Sequence, residues 1–268
     1  MNLTLPATLC EAACRVLNEP SPAQKVALTR RFAAAWQQGG ISQPGRQTPP
    51  ERPARPARPL LKPPAEMPRR GKGGLAGKCA FIHAIAHIEL NAIDLAWDII
   101  CRFTDEPMPR AFHDDWVGVA MDEANHFALL EARLNGLDAA YGDLPAHDGL
   151  WEAALTTKDD LLARLAVVPL ILEARGLDTT PAAVARLIQA GDVETADLFR
   201  KIAEEEIPHV AAGLRWFEFL CARRGLAPIP TFHQLAASRY AGRLKPPFNT
   251  EARSQAGMDQ AYYRTPDS

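Results

Sequence analysis

The sequence predicts an all-α protein built around a four-helix bundle, and three observations carry that expectation. From Ala80 to Phe219 apolar residues recur at helical spacing, with few β-branched alternations. Within that region four amphipathic stretches stand out, at about 79–103, 113–135, 158–176 and 192–224. Each of them carries a glutamate in the middle of its apolar face, where a solvated helix has none.

The elements follow in order. Leu5 to Leu17 has apolar residues at helical spacing, and Ser21-Pro22 reads as a cap followed by a first-turn proline. That second helix ends near Gly39-Gly40, so residues 1–40 form an N-terminal helical segment. Residues 41–78 form a Pro/Arg-rich strap. Between Pro44 and Lys78 it holds nine prolines, which remove donors, fix φ and favour an extended chain. Residues 79–226 form the bundle, with a turn-rich connection at Tyr141–Asp148 and a short helix from Leu150. Residues 227–268 bring one more short helix and a loop-like tail around Pro246-Pro247-Phe248-Asn249, packed on the bundle.

Composition narrows the class. Hydrophobic residues are 47% and charged residues 23%, ordinary for a globular protein, and the formal net charge is only −2. The longest uninterrupted apolar run, around Leu165 to Leu172, is too short for a bilayer. The first residues, Met1 to Pro6, lack the pattern of a signal peptide, so the expected location is cytoplasmic, with no membrane partner. Five scattered cysteines (10, 14, 79, 101, 221) make neither a zinc framework nor a disulfide scaffold, and read as reduced structural thiols. The strap has nine Lys or Arg against two acids, a net +7, which leaves −9 for the remainder. A basic strap can lie across its own acidic body or meet nucleic acid. The first is expected, since no aromatics are interleaved for stacking.

The four glutamates carry the chemistry. Around Glu89 the same-face neighbours are Ile82, Ile85, Ala86, Ala92, Ile93 and Ala96. Glu123 shares its face with Trp116, Val119, Ala120 and Phe127, and Glu206 with Phe199, Ile202, Ala203 and Val210. Glu173 faces Ala166, Pro169, Leu170 and Leu177. An ionised carboxylate in such a place must be paired or bound. Glu123-Ala124-Asn125-His126 and Glu206-Ile207-Pro208-His209 are both Glu-x-x-His, which puts an imidazole beside the carboxylate one turn on. Two such motifs, plus a lone glutamate from each of two other helices, are the ligand set of di-metal carboxylate bundles. The lone acids here are Glu89 and Glu173, standing 34 and 33 residues before Glu123 and Glu206. The competing reading pairs Glu89 and Glu173 with arginines such as Arg164 or Arg175 and leaves both histidines in the core. Pro208, inside the second motif, is expected to kink its helix.

These motifs resemble the ferritin-like superfamily. The surrounding words resemble more closely a bacterial family known as domain of unknown function 455. They are His83–Leu90, Phe112-His113-Asp114-Asp115-Trp116, Asp122–Phe127, Glu173–Asp178 and Pro247-Phe248-Asn249. The resemblance implies two metal ions, one on Glu89, Glu123 and His126, the other on Glu173, Glu206 and His209, with Glu123 and Glu206 bridging. Carboxylates with one imidazole per metal suit iron, with manganese the alternative. Of the remaining residues, His83 and His87 read as structural histidines and His147 as a loop residue. Arg175 and Asp178 read either as orienting a ligand or as a helix-ending salt bridge, and Phe248-Asn249 and the strap as covers for the site.

Three functions remain open on the sequence. The leading one is an O2-dependent di-iron oxidoreductase, a hydroxylase or oxidase, which takes an organic substrate and an electron donor. The second is ferroxidase activity, iron handling or peroxide removal. The third is a helical interaction module with a structural or lost metal. A monomer or small homo-oligomer is expected.

Overall fold

Every regular element that the computed structural model describes, over residues 4–68 and 74–264, is helical. The only β-type pairing among these residues is an isolated bridge between Leu61 and Ala146. Met1 to Leu3 and the strap residues Arg69, Arg70 and Lys72 lie outside the described residues. The chain divides into two units, Met1–Trp151 and Glu152–Ser268.

In the first unit α1 (Leu9–Leu17) is capped by Thr8, whose hydroxyl accepts from the Glu11 N–H. The second helix, α2 (Pro22–Gln37), starts as its sequence dictates, on Ser21 with proline at the first turn. Helices α3 (Gly74–Arg102) and α4 (Arg110–Asn135) form the main pair, joined by residues 103–109, a link short enough to make them antiparallel neighbours. Both α1 and α2 pack on this pair, α1 on α3 and α2 on α4. Buried tryptophans mark the seams. The Trp97 indole donates to Thr29 Oγ1 at 3.0 Å, and that of Trp36 to Asp114 Oδ1 at 2.8 Å.

Helix α3 starts at Gly74, inside the stretch expected to be extended up to Lys78. The prolines stop at Pro68, so nothing beyond that point forbids a helix. By length and composition α3 could cross a membrane, which no uninterrupted apolar run in the sequence could do. However, 67% of its most apolar window is buried within the protein, and Glu89, Asp94 and Asp98 lie buried along it. That is the profile of a core helix.

The strap is extended, apart from a 3₁₀ turn at Pro64–Glu66, and it pairs with its own unit. Arg46 meets Asp105 at 2.8 Å, and Arg52 meets Asp148 at 2.8 Å. Arg55 reaches the buried Asp94, which also holds the buried ammonium of Lys25. Burial pulls the Lys25 pKa down, and the charge of Asp94 opposes that fall.

In the second unit α6 (Leu161–Val167) passes into a π-helical turn, Val168–Glu173, and then into α7 (Ala174–Gln189). The preceding short helix α5 (Gly149–Leu155) spans the boundary between the units. Helix α8 (Val193–Arg223) starts on Asp192, whose carboxylate accepts from the Thr195 N–H. Its partners are α6, the π-helical turn and α7, while α9 (Pro228–Arg239) and α10 (Thr250–Gln255) complete the unit. Phe217, Phe232 and Tyr262 make an edge-to-face cluster under α9.

The third amphipathic stretch was expected to end near 176, but α7 continues to Gln189 with Pro181 in its interior. Proline has no N–H for the carbonyl four residues back, which here is Leu177. Asn249 supplies the missing donor: its Nδ2 donates to Leu177 O at 3.2 Å. A side chain from the tail therefore repairs the ladder that the proline interrupts. Helix α8 likewise runs through Pro208.

Candidate metal centre

Helix α3 carries Glu89 and α4 carries Glu123 and His126, all three buried at 5%, 1% and 0% exposure. The apolar neighbours that the helical period assigns to Glu89 and Glu123 are largely core residues, so the carboxylates are held within the α3–α4 seam. His126 Nδ1 stands 3.4 Å from Glu89 Oε2 and 3.5 Å from Glu123 Oε2. Ligand atoms of all three lie within 4.8 Å of one another. Asn125, between the ligands of the Glu-x-x-His word, points the other way and accepts from Arg30 of α2 at 2.9 and 3.1 Å. This exposed contact ties α4 to α2 on the side away from Glu123 and His126.

In the second unit α8 repeats the word. Its buried His209 places Nδ1 3.3 Å from Glu206 Oε2, and the Glu206 side chain is 13% exposed. Glu173 ends the π-helical turn and is half-buried. Its backbone there is not α-helical, so the face assigned to it from α-helical spacing is shifted. The sequence signal for this irregularity is Pro169, which lies in the turn. Opposite it on α8 is Gly213, where a Cβ would stand 2.3 Å from Pro169 Cβ. The glycine permits that approach.

The donor set fits a metal ion. Two ligand atoms each about 2.1 Å from one ion, at an angle near 110°, stand about 3.4 Å apart. The three nitrogen–oxygen separations, 3.3–3.5 Å, cluster at that value and exceed the roughly 2.7–3.2 Å of ordinary N–H···O bonds. Carboxylate oxygens with one imidazole per cluster, and no thiolate, match a divalent first-row metal.

The other singled-out residues have structural work. His83 Nε2 accepts from the Gly142 N–H at 2.9 Å, and its ring stacks on Tyr141. His87 Nδ1 lies 2.8 Å from the Tyr141 hydroxyl and Nε2 lies 3.2 Å from His147 O. Burial lowers His83 and takes His87 down to about 3, so both rings are neutral at physiological pH. His147 accepts from the Gly149 N–H at 3.2 Å, where α5 starts. Asp178 and Arg175 lie near the start of α7 rather than at its end, and they stand 3.5 Å apart as an ion pair within a larger network. Buried Asp178 takes two bonds from buried Arg253, at 2.9 and 2.7 Å, and one from the Asn249 N–H. Arg175 donates to the carbonyls of Lys245 and Pro247. These residues anchor the tail. All five cysteines are free thiols.

The Lys25–Asp94–Arg55 cluster went unnoticed in the sequence. Its signal is that Asp94 sits among Leu90, Ile93, Leu95 and Trp97, too apolar a setting for an unpaired acid.

Comparison with known proteins agrees with the sequence words. No solved structure matches this chain. An uncharacterized protein of Haemophilus influenzae is 40% identical over 210 residues, covering 76% of this chain and 73% of that protein. The profile of a family described as protein of unknown function (DUF455) matches residues 18–264. The chain therefore belongs to the DUF455 family.

Proposed function

We propose that this chain is a di-metal carboxylate protein of ferritin-like type and an O2-dependent oxidoreductase acting on an organic substrate. The observation that carries the reading is the buried Glu89–Glu123–His126 cluster, with donor separations that one shared cation explains. Glu89, Glu123 and His126 would hold one ion, and Glu173, Glu206 and His209 a second. Bridging by Glu123 and Glu206 is part of the same proposal, as are iron as the metal, an external electron donor and a cytoplasmic location. A pair of ferrous ions supplies the electrons and the open positions that dioxygen reduction requires.

The chain's own residues do the positioning. Arg30 holds Asn125 and so ties α4, on the side away from Glu123 and His126, to α2. The apolar residues around Glu89 and Glu123 exclude water from the cluster, which strengthens every charge interaction within it. The half-buried Glu173 and Glu206 put the more accessible carboxylates on the second cluster, where substrate and dioxygen need a path.

Protein loaded anaerobically with Fe(II) and then exposed to oxygen tests this reading. A near-ultraviolet absorbance change that is lost in His126→Ala and His209→Ala is expected. Iron that binds but oxidises no faster than free Fe(II) would count against the enzyme. Elution as a large cage in gel filtration would favour iron storage instead.

A further inference from the structure

The second unit holds a charged cleft that no metal ligand lines. The loop after α9 folds back on the π-helical turn and α7 and encloses about 290 Å³. One wall is Ile171, Arg175 and Asp178, and the loop contributes Tyr240, Arg243, Lys245 and Phe248. The loop turns tightly at Gly242, where a Cβ would stand 2.4 Å from the Tyr240 hydroxyl oxygen. That close approach lays the Tyr240 ring over the backbone just before Arg243.

Four cations line this space (Arg175, Arg243, Lys245 and Arg253) against one acid, Asp178. The acid is already engaged, since Asp178 is buried and takes both a fork of bonds from Arg253 and the Asn249 N–H. Arg175 is tied to two loop carbonyls and shares Asp178 with Arg253 at 3.5 Å, yet its side chain remains 33% exposed at the wall. Among the described residues no carboxylate pairs with Arg243 or Lys245. Four positive charges against one negative leave three uncompensated in a cleft closed on one side by aromatic and apolar groups.

We propose that this cleft binds a small organic phosphate carrying a planar ring. A single carboxylate would leave two of the three charges unmet, whereas a dianionic phosphate matches them more nearly. Its three oxygens also suit guanidinium and ammonium donors converging from α7 and the loop. The Tyr240 ring offers a flat apolar face to the rest of the molecule, and Phe248, packed against Arg253 and Tyr263, adds an apolar edge to the wall. The volume accommodates a phosphate and one ring system but not a folded partner. This site does not depend on the metal reading.

Isothermal titration calorimetry of the full chain tests it, with phenyl phosphate, inorganic phosphate and a short single-stranded RNA as probes. Phenyl phosphate should bind at least about tenfold more tightly than inorganic phosphate, the ring contact being the difference. The double substitution Arg243→Ser and Lys245→Ser should weaken phenyl phosphate about tenfold or more. Both side chains are exposed, so the melting temperature without ligand should not move, and Tyr240→Leu should remove the preference for the ring. Absence of phenyl phosphate binding, or equal binding by the double variant, overturns the proposal. Binding of RNA alone also overturns it, and makes the loop a nucleic-acid surface.

Discussion

The two Glu-x-x-His clusters share one word and differ in the backbone that carries it. In the first unit both ligand helices are regular around Glu89, Glu123 and His126, and all three side chains are buried. The second unit carries the residues proposed as ligands on interrupted helices. Glu173 ends a π-helical turn, Pro169 lies within that turn, and Pro208 stands between Glu206 and His209. Pro208 withdraws a helical donor from the carbonyl of Glu204. Both Glu173 and Glu206 are also less deeply buried than their counterparts. Under the proposed di-metal reading, the regular, enclosed cluster would hold an ion in fixed geometry, whereas the irregular, more open one would exchange ligands.

If the first cluster owes its rigidity to the bracing of α3, removing the brace should produce the largest effect. Asp94→Asn leaves the buried Lys25 ammonium without its partner, at a cost of about 3–5 kcal/mol. A fall in unfolding free energy of that size, taken from urea denaturation, would confirm that the strap and α2 hold α3 through one carboxylate. A shift under about 1 kcal/mol would be only what an exposed pair is worth.

In the second unit the sharper probe is packing rather than charge. Gly213→Ala drives a methyl into Pro169 and should cost about 1–3 kcal/mol, forcing α8 away from the π-helical turn. Because Gly213 lies two turns beyond Glu206 on the same face, metal affinity should fall with it. An unchanged affinity would mean that the π-helical turn does not position Glu173.

The smallest effect is a pH dependence confined to the first unit. His83 accepts the Gly142 N–H and is buried, and burial outweighs the attraction of Asp143, so its folded pKa lies below 6.5. The unfolded chain then binds the extra proton first, and stability falls as pH drops below about 6.5. Unfolding at pH 5.5 and 7.5 measures this. His87, lowered further to about 3, adds to the same slope, so His83→Gln should reduce the difference and adding His87→Gln should reduce it further.

Much of this architecture was legible. Apolar spacing marked the first helix, which starts at Leu9 rather than Leu5, and Ser21-Pro22 marked the start of α2. The Glu-x-x-His words singled out Glu123 with His126 and Glu206 with His209. What stayed hidden depends on contacts distant in sequence. Pro181 reads as a helix stop until Asn249, well down the chain, supplies the donor that Leu177 lacks. The π-helical turn escapes an α-helical period because one register shift moves Glu173 relative to Leu170 and Leu177. Asp94 gave no motif because its partners, Lys25 and Arg55, come from two other segments. The cationic cleft likewise gathers α7, the loop after α9 and α10, a convergence that no local pattern encodes.

Counting bound metal tests the central claim most directly. Anaerobic titration with Fe(II) or Mn(II), followed by elemental analysis after desalting, should give about two ions per chain for the unaltered protein. His126→Ala and His209→Ala should each retain about one, with the tighter ion surviving in His209→Ala. A protein that takes up neither metal, or one that keeps both ions in both variants, would contradict the account.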